Sequence, residues 1–398
     1  MELSKRALSI KPSTTLVITA KAGELREAGK DVVGFAAGEP DFDTPEHIRN
    51  AAVEAINCGF TRYTPASGTM ELRKAVCKKL KEDNGLEYEP GQIVVSNGAK
   101  HSLTNTFMAI LNDGDEVIIP APYWLSYSAM VTIAGGVPII VQTKKENNFM
   151  LTREELEKAY TDKTKAIMLT TPSNPTGMIS SEADLKTIAD FAVEKDLLVI
   201  SDEIYEKLIY NKDKKHISIA SLGKEIYDRT IVINGVSKSY AMTGWRIGYS
   251  ASSPAIAKCI GSLQSHMTSN ANSVAQKAAL AALTGSQECV EQMRKEFEKR
   301  CDYIYEREEA IPLISALKPE GAFYLFIDVS KTFGKRYNGL EIKSAADFAS
   351  LLLENKLTAV VPCADFGMPE YIRLSYAISM ENIKKGMDRI EEFVKELE

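Results

Sequence analysis

Residues 166–205 read AIMLTTPSNPTGMISSEADLKTIADFAVEKDLLVISDEIY, and this stretch indicates the class of the fold. Two apolar runs, Ala166–Thr170 and Leu197–Ser201, have the length and composition of buried strands. Between them the apolar residues recur with a helical period, and Asp184, three residues after Ser181, suits a helix N-terminus. A strand, a helix and a second strand are typical of a parallel pair, because parallel strands need a long crossover connection. The stretch therefore predicts an α/β fold.

The same alternation continues on both sides of this unit. Five further apolar runs predict strands, namely Ile93–Ser96, Glu116–Ile119, Pro138–Val141, Ile231–Asn234 and Ile247–Ser250. We therefore expect a mostly parallel, seven-stranded sheet between helices. A long charged helix pattern from Ser286 to Ile311 would suit a connection between two domains. Strand patterns at 321–329 and 371–376 and a helix pattern at 380–397 then indicate a smaller α+β unit.

Composition argues against several classes of protein. The length of 398 residues suggests two or three domains. The net charge of -6 disfavours a nucleic-acid partner. No apolar run approaches the ~18–20 residues that a membrane-spanning helix needs. The six cysteines include no C-x-x-C pair and the four histidines lie far apart, so we expect reduced thiols and no metal site. These features predict a cytoplasmic protein.

Polar residues follow four of the predicted strands. They are Asn97-Gly98-Ala99-Lys100, Pro172-Ser173-Asn174-Pro175-Thr176-Gly177, Asp202-Glu203 with Tyr205, and Ser237-Lys238 with Arg246. Each group alone has an ordinary explanation as a turn, a helix cap or a solvated charge. Together they are more informative, because ligands of open α/β sheets bind beyond the carboxyl ends of the strands. One pocket there would hold an anion site, an amine, an acid, a phenol, an amide and a guanidinium.

This set of groups indicates a particular cofactor. The chain has no G-x-G-x-x-G motif, and no Gly-Lys pair follows another glycine at the spacing of a phosphate-binding loop, so nucleotide binding is disfavoured. An amine that can form a Schiff base, an acid that keeps a ring nitrogen protonated and an anion site suit pyridoxal phosphate (PLP).

The motifs resemble those of a known family over nearly the full chain. They are Gly38-Glu39-Pro40-Asp41-Phe42, Tyr63-Thr64-Pro65, Asn97-Gly98-Ala99-Lys100, Pro122-Tyr123-Trp124, Pro172-Ser173-Asn174-Pro175-Thr176-Gly177, Ser201-Asp202-Glu203-Ile204-Tyr205-Glu206, Ser237-Lys238, Met242-Thr243-Gly244-Trp245-Arg246 and Arg373-Leu374-Ser375-Tyr376. The chain resembles the class I PLP-dependent aminotransferases of fold type I, most closely those of bacteria that act on aspartate. The resemblance implies the PLP transferase fold and a homodimer with sites at the subunit boundary.

The resemblance also implies roles around the cofactor. Lys238 would bind PLP covalently, and its amine would then move a proton from the substrate Cα to the cofactor. Asp202 would contact the pyridine nitrogen and keep it protonated. Tyr205 and Asn174 would hydrogen-bond the 3′ oxygen, and Trp124 would stack on the ring. The phosphate would be bound by Gly98, Ala99, Lys100, Ser237, Arg246 and, in the other chain of the dimer, Tyr63.

For the substrate, the resemblance assigns the α-carboxylate to Arg373, because a guanidinium suits a bidentate contact. Gly38 would let the backbone approach the substrate closely. The full set of expected substrate contacts is Lys11, Gly38, Lys100, Trp124, Asn174 and Arg373. Two points stay open. Lys100 would bind either the phosphate or a second substrate carboxylate, and Lys11-Pro12-Ser13 resembles the arm of a subset that also accepts prephenate.

The predicted function is PLP-dependent, ping-pong transamination between an L-amino acid, with aspartate first, and 2-oxoglutarate. The alternatives are an aromatic or prephenate-accepting aminotransferase and a PLP-dependent lyase of the same fold.

We expect an N-terminal arm with part of the small domain at 1–45, a large PLP-binding domain at 46–290 and a small C-terminal domain at 291–398. Cys363 departs from the family pattern, since related sequences usually carry glycine there.

Overall fold

The computed structural model describes residues 3–10, 12–210 and 214–398. The α-helices of this described part are α1 (Lys5–Ser9), α2 (Thr14–Glu27), α3 (Glu46–Asn57), α4 (Met70–Asn84), α5 (Ala99–Ile110), α6 (Ser126–Ile133), α7 (Arg153–Ala159), α8 (Glu182–Glu194), α9 (Lys224–Arg229), α10 (Pro254–Met267), α11 (Ser273–Thr284), α12 (Glu288–Glu309), α13 (Ala345–Lys356) and α14 (Met380–Lys395). The strands are β1 (Val33–Gly34), β2 (Ile93–Ser96), β3 (Glu116–Ala121), β4 (Val137–Gln142), β5 (Thr164–Thr170), β6 (Leu198–Asp202), β7 (Thr230–Gly235), β8 (Gly248–Ala251), β9 (Ser315–Ala316), β10 (Tyr324–Asp328), β11 (Arg336–Tyr337), β12 (Leu340–Glu341), β13 (Thr358–Ala359), β14 (Val361–Pro362) and β15 (Tyr371–Ser375).

A seven-stranded sheet forms the centre of the larger unit, with the strand order β2-β8-β7-β6-β5-β3-β4. Strands β4, β3, β5, β6 and β7 are parallel, whereas β8 is antiparallel to both of its neighbours. All seven strands expected from the apolar runs are present, so the predicted sheet is confirmed. Because β5, β6 and β7 are adjacent and parallel, the residues that follow them meet at one edge.

Helices cover both faces of this sheet. Ile118 of β3 packs in one hydrophobic cluster with Ile188 of α8, whereas Val117 and Ile119 pack in another with Phe107 of α5. Neighbouring residues of a strand point to opposite faces, so two separate clusters mean two covered faces. This double cover explains why the parallel strands are apolar throughout.

Local sequence explains where α8 begins. The Ser181 hydroxyl accepts a hydrogen bond from the Asp184 backbone N–H at 3.2 Å, and the Asp184 carboxylate accepts one from the Ser181 N–H at 2.8 Å. These reciprocal contacts satisfy two backbone donors that the helix leaves free. Leu185, Ile188 and Ala189 then form the buried face. The helix returns the chain to the start of β6, beside β5.

A smaller antiparallel sheet has the order β14-β15-β10-β9. Its core includes the predicted apolar stripe of α12, which consists of Met293, Phe297, Cys301 and Ile304. The N-terminal region contributes as well, because β1 pairs with β13 and Phe35 is buried in the same core. The division at residues 45 and 290 stays a prediction. Within the described residues, no helix has both the length and the apolar character needed to cross a membrane.

Candidate active site

A cavity of about 310 Å³ lies where β5, β6 and β7 end. The residues singled out from the sequence that line it are Gly38, Ala99, Lys100, Trp124, Asn174, Asp202, Tyr205, Ser237, Lys238, Arg246 and Arg373. Gly98 directly precedes the lining residue Ala99. Tyr63 does not line the cavity and is 89% exposed. Lys11 lies outside the described residues.

Lys238 lies at the centre of this set, three residues after the end of β7. Its Nζ donates a hydrogen bond to the Gly38 carbonyl oxygen at 2.6 Å. The loss of hydration within the protein lowers the pKa of the Lys238 amine to about 8, although the Glu39 charge opposes the shift. About a tenth of this amine is therefore neutral at pH 7, far more than for an ordinary lysine.

Asp202 ends β6 and is 3% exposed. Its Oδ2 accepts a hydrogen bond from the Tyr127 hydroxyl at 2.7 Å, and its Oδ1 accepts one from the Ile204 N–H at 3.2 Å. Burial raises the pKa of the carboxyl to about 6, while the Tyr127 hydrogen bond opposes the rise. The group is mostly ionised at pH 7, so the cavity wall carries a buried negative charge.

Tyr127 is a site residue that the sequence interpretation missed. It lies on the buried face of α6, where its aromatic ring looks like any core side chain. Its hydroxyl also contacts the Thr170 hydroxyl at 2.7 Å. Only the contact with Asp202, 75 positions away, reveals a polar role.

The start of α5 has the features that an anion site needs. Gly98 precedes the helix with φ 88°, and no side chain caps the first turn. A β carbon at Gly98 would lie 2.3 Å from an Arg246 guanidinium nitrogen, so a larger residue would displace that side chain. The φ of 88° also favours glycine at this position. Arg246 itself has φ 57° and donates to the carbonyl oxygens of Thr243 and Asn97, at 2.9 and 3.3 Å. In the described part of the chain no carboxylate pairs with Arg246, so the charge is available to an anion.

Arg373 on β15 is 2% exposed. Its Nη1 donates to Asn174 Oδ1 at 2.9 Å and its Nη2 to the Ala36 carbonyl at 3.1 Å. Its Nε is buried without a hydrogen-bond partner. Among residues 3–10, 12–210 and 214–398, no acidic side chain pairs with this guanidinium. A buried, uncompensated arginine is costly, and a bound carboxylate would remove that cost.

Lys100 is a further cation at the cavity, and it contacts the Trp124 ring. The Lys100 Nζ lies 4.7 Å from the centroid of the Trp124 ring, within the range of a cation–π contact. Desolvation, with a smaller contribution from the Arg246 charge, lowers the pKa of Lys100. The Trp124 ring also packs edge-on against Tyr127 at 5.4 Å, which holds it beside the Asp202 network.

A tyrosine pair closes the cavity on the side of the smaller unit. The hydroxyl oxygens of Tyr205 and Tyr324 are 2.9 Å apart, and the Tyr324 ring centroid is 4.4 Å from the Arg373 guanidinium carbon. Tyr324 was not singled out from the sequence, because it begins an apolar strand and is typical of a core residue there. A polar role at this position depends on β10 and β15 being paired.

The departure at Cys363 leaves the backbone unstrained. Cys363 has φ -106° and ψ 23°, which any residue adopts. The left-handed position of the same turn falls on Gly367, with φ 85°. Cys363 is buried beside Phe366, so its side chain fills the core instead of altering the turn.

Three potential metal ligands, Glu203, Glu206 and His216, lie within 4.8 Å of one another, close in sequence to Asp202. Side chains balance their charge, because Lys79 forms an ion pair with Glu206 and His216 Nε2 lies 2.9 Å from Glu203 Oε2. This arrangement is explained by salt bridges alone. The expectation of no metal site stays a prediction.

Comparison with known proteins gives consistent matches. Residues 30–390 match the family model described as aminotransferase class I and II. The chain is 49% identical to the aspartate aminotransferase of Bacillus subtilis (strain 168) over 395 residues, or 99% of each chain. It is 46% identical to the probable aspartate/prephenate aminotransferase of Aquifex aeolicus, with the same coverage. Among solved structures, it matches the aspartate aminotransferase from Rhizobium meliloti with a TM-score of 0.96, at 40% identity over 100% of both chains. It matches that of Thermus thermophilus with maleate with a TM-score of 0.93, at 41% identity over 99% of this chain and 100% of the other.

Proposed function

This chain belongs to the class I and II aminotransferase family, and we propose that it transfers the amino group of L-aspartate to 2-oxoglutarate by a ping-pong mechanism with PLP. The observation that carries the proposal is one cavity holding an amine of lowered pKa, a buried carboxylate and a guanidinium that forms no ion pair with any described residue. Purified protein with added PLP, aspartate and 2-oxoglutarate should form glutamate and oxaloacetate in equal amounts. Release of free ammonia in place of glutamate would favour the lyase alternative.

The residues present fit the cofactor. Arg246 and the uncapped start of α5 suit a phosphate. Asp202 suits a protonated ring nitrogen, because it is a buried carboxylate that forms no salt bridge with any described residue. When bound, PLP supplies an aldehyde that condenses with amines and a ring that accepts the electron pair released at the substrate Cα. Tyr205 and Asn174 line the same cavity and would donate to the 3′ oxygen.

Lys238 is the proposed base. The amine must be neutral to accept a proton from the substrate Cα. A pKa near 8 lowers the free energy needed to reach that neutral form near pH 7. The Gly38 carbonyl accepts from the Lys238 amine and so fixes its direction. Because the Lys238 side chain is flexible, its amine can take the proton from the substrate Cα. The amine can then deliver that proton to a neighbouring cofactor atom on the same face.

Arg373 is the proposed α-carboxylate ligand. Asn174 and the Ala36 carbonyl hold two of its nitrogens, which orients the guanidinium plane before substrate arrives. Such preorganisation reduces the entropy lost when a bidentate contact forms. The substrate Cα is thereby directed toward the Lys238 side of the cavity.

Lys100 is the proposed ligand of a second substrate carboxylate, and Lys100→Ala is expected to lower kcat/KM for aspartate roughly ten- to a hundredfold, since a charge-assisted contact contributes ~1.5–3 kcal/mol. Alanine and phenylalanine lack the distal charge and should be affected little. The measurement is kcat/KM for all three donors, together with the dissociation constant of PLP. An equal loss for the three donors with weaker PLP binding would assign Lys100 to the phosphate instead.

Prephenate is a second candidate acceptor, favoured by relatives named aspartate/prephenate aminotransferase. Wild-type protein should be assayed with aspartate as donor and either prephenate or 2-oxoglutarate as acceptor. Turnover with prephenate at a comparable kcat/KM would establish the wider substrate range. No detectable product from prephenate would restrict the proposal to 2-oxoglutarate.

The proposed assembly is a homodimer in which Tyr63 completes the site of the other subunit. Tyr63 is outside its own cavity and exposed, as a residue acting in trans would be. Mixing Lys238→Ala chains with Tyr63→Phe chains should restore about a quarter of the wild-type sites, because each heterodimer would contain one intact site. Activity of the reassembled mixture measures this recovery.

A matched control uses two residues that line the same cavity. Lys238→Ala and Arg373→Ala chains should not complement one another, since each site of their heterodimer retains a lesion. If the Tyr63→Phe mixture also gave no activity above its own homodimer, the trans role of Tyr63 would be wrong.

A further inference from the structure

Tyr324 contacts two residues that the proposed function assigns to different ligands. It is the first residue of β10, is 1% exposed and lines the cavity. In the register of the small sheet it lies opposite Ser375, so Arg373 is its diagonal neighbour on the same face of the sheet. Its ring therefore reaches the Arg373 guanidinium, while its hydroxyl extends to the Tyr205 hydroxyl.

We infer that Tyr324 is a positioning residue, whose ring fixes the Arg373 guanidinium and whose hydroxyl orients the Tyr205 phenol. The inference rests on the proposed function, because it presupposes that Arg373 binds the α-carboxylate and Tyr205 the 3′ oxygen of PLP. The inference adds that the Tyr324 side chain maintains the relative placement of the substrate and the cofactor.

The hydroxyl part of the inference follows from the number of protons. A phenol donates a single hydrogen bond, so a Tyr205 that donates to the cofactor must accept the proton of Tyr324. A phenol that accepts a hydrogen bond becomes a stronger donor itself, because the two bonds polarise one another. The Tyr324 hydroxyl thus strengthens the contact that Tyr205 makes.

The ring part follows from the surroundings of Arg373. Its hydrogen-bond partners are the neutral Asn174 side chain and the Ala36 carbonyl, and Phe366 is a second ring at 5.3 Å. The Arg373 guanidinium thus has only neutral partners among these contacts, and two aromatic rings attract its charge. The Tyr324 ring, whose face is negative, is the nearer of the two at 4.4 Å. The contact holds the guanidinium in place without neutralising it, which leaves the charge free to bind a carboxylate.

Two substitutions separate the two parts. Tyr324→Phe removes the hydroxyl and keeps the ring, whereas Tyr324→Leu removes both. Tyr376→Phe is the matched control, because Tyr376 is buried in the same cluster but does not line the cavity. Each holoenzyme is characterised by the pH midpoint of its visible cofactor absorption and by its Kd for α-methylaspartate, which has an α-carboxylate but no Cα proton.

Tyr324→Phe should raise the absorption midpoint by about 0.3–0.5 pH unit, because weaker donation to the 3′ oxygen favours the protonated cofactor. Its Kd for α-methylaspartate should stay within about twofold, since the ring remains. Tyr324→Leu should show the same midpoint shift and a Kd raised roughly three- to thirtyfold. Tyr376→Phe should change neither quantity.

An unchanged midpoint in Tyr324→Phe, or the same shift in Tyr376→Phe, would overturn the hydroxyl part. A Kd raised equally in Tyr324→Phe and Tyr324→Leu would overturn the ring part. If Tyr324→Leu did not fold, the Tyr324→Phe midpoint would still decide the first part. Tyr324→Met, which keeps much of the side-chain volume without an aromatic face, would then decide the second by its Kd. Failure of the proposed function would be distinct, because wild-type protein would then form no glutamate from aspartate and 2-oxoglutarate, whatever the Tyr324 variants showed.

Discussion

Lys238→Ala is expected to lower kcat by at least ~10⁴-fold, since the change removes both the covalent anchor and the base. Lys238 offers a neutral amine near pH 8, and the other lysine among the described lining residues, Lys100, contacts Trp124 instead. The measurement is single-turnover formation of oxaloacetate from aspartate and the PLP-loaded protein.

Chemical labelling tests the same residue independently of activity. Borohydride reduction of the PLP-loaded wild type should fix a pyridoxyl group on the peptide that contains Lys238. Lys100→Ala is the control and should retain the label, whereas Lys238→Ala should lose it. A label on any other lysine in the wild type would contradict the assignment.

Asp202→Asn is expected to keep PLP bound but to lower kcat roughly 10³-fold, which is the size of effect seen when a preorganised electrostatic contact is removed. Asparagine preserves the shape of the side chain and removes the charge that keeps the ring nitrogen protonated. Stopped-flow measurement of the first half-reaction with aspartate gives the rate, and the visible absorption reports cofactor content.

Tyr127→Phe provides the matched control for Asp202. It removes the hydrogen bond at 2.7 Å but keeps the carboxylate, so kcat should fall only about tenfold. The same loss also raises the pKa of Asp202 further, because an ionised carboxylate loses a donor, and the acid limb of the pH–rate profile should move to higher pH. Near-normal kcat in Asp202→Asn would show that the charge is not required.

The sheet and several residues at its edge could be predicted from sequence, for a physical reason. Buried parallel strands are apolar runs, and the polar residues that follow them must lie at the carboxyl edge, as Asp202 and Lys238 do. The contacts between distant segments could not be predicted in this way. Tyr127 and Tyr324 have the pattern of core residues, and their hydroxyl partners are set by how α6 and β10 pack. Arg373 was found only by resemblance, since nothing in its strand marks it as a ligand.

Arg246 has a left-handed backbone, with φ 57° and ψ 55°. This conformation costs an L-residue with a β carbon roughly 1–2 kcal/mol, and glycine adopts it without that cost. Selection for a stable fold alone would therefore favour glycine at position 246. On the proposed role of Arg246 in phosphate binding, the chain gives up thermal stability for ligand binding. Mutational libraries screened only for heat resistance should then enrich glycine at 246 and yield stable but inactive protein.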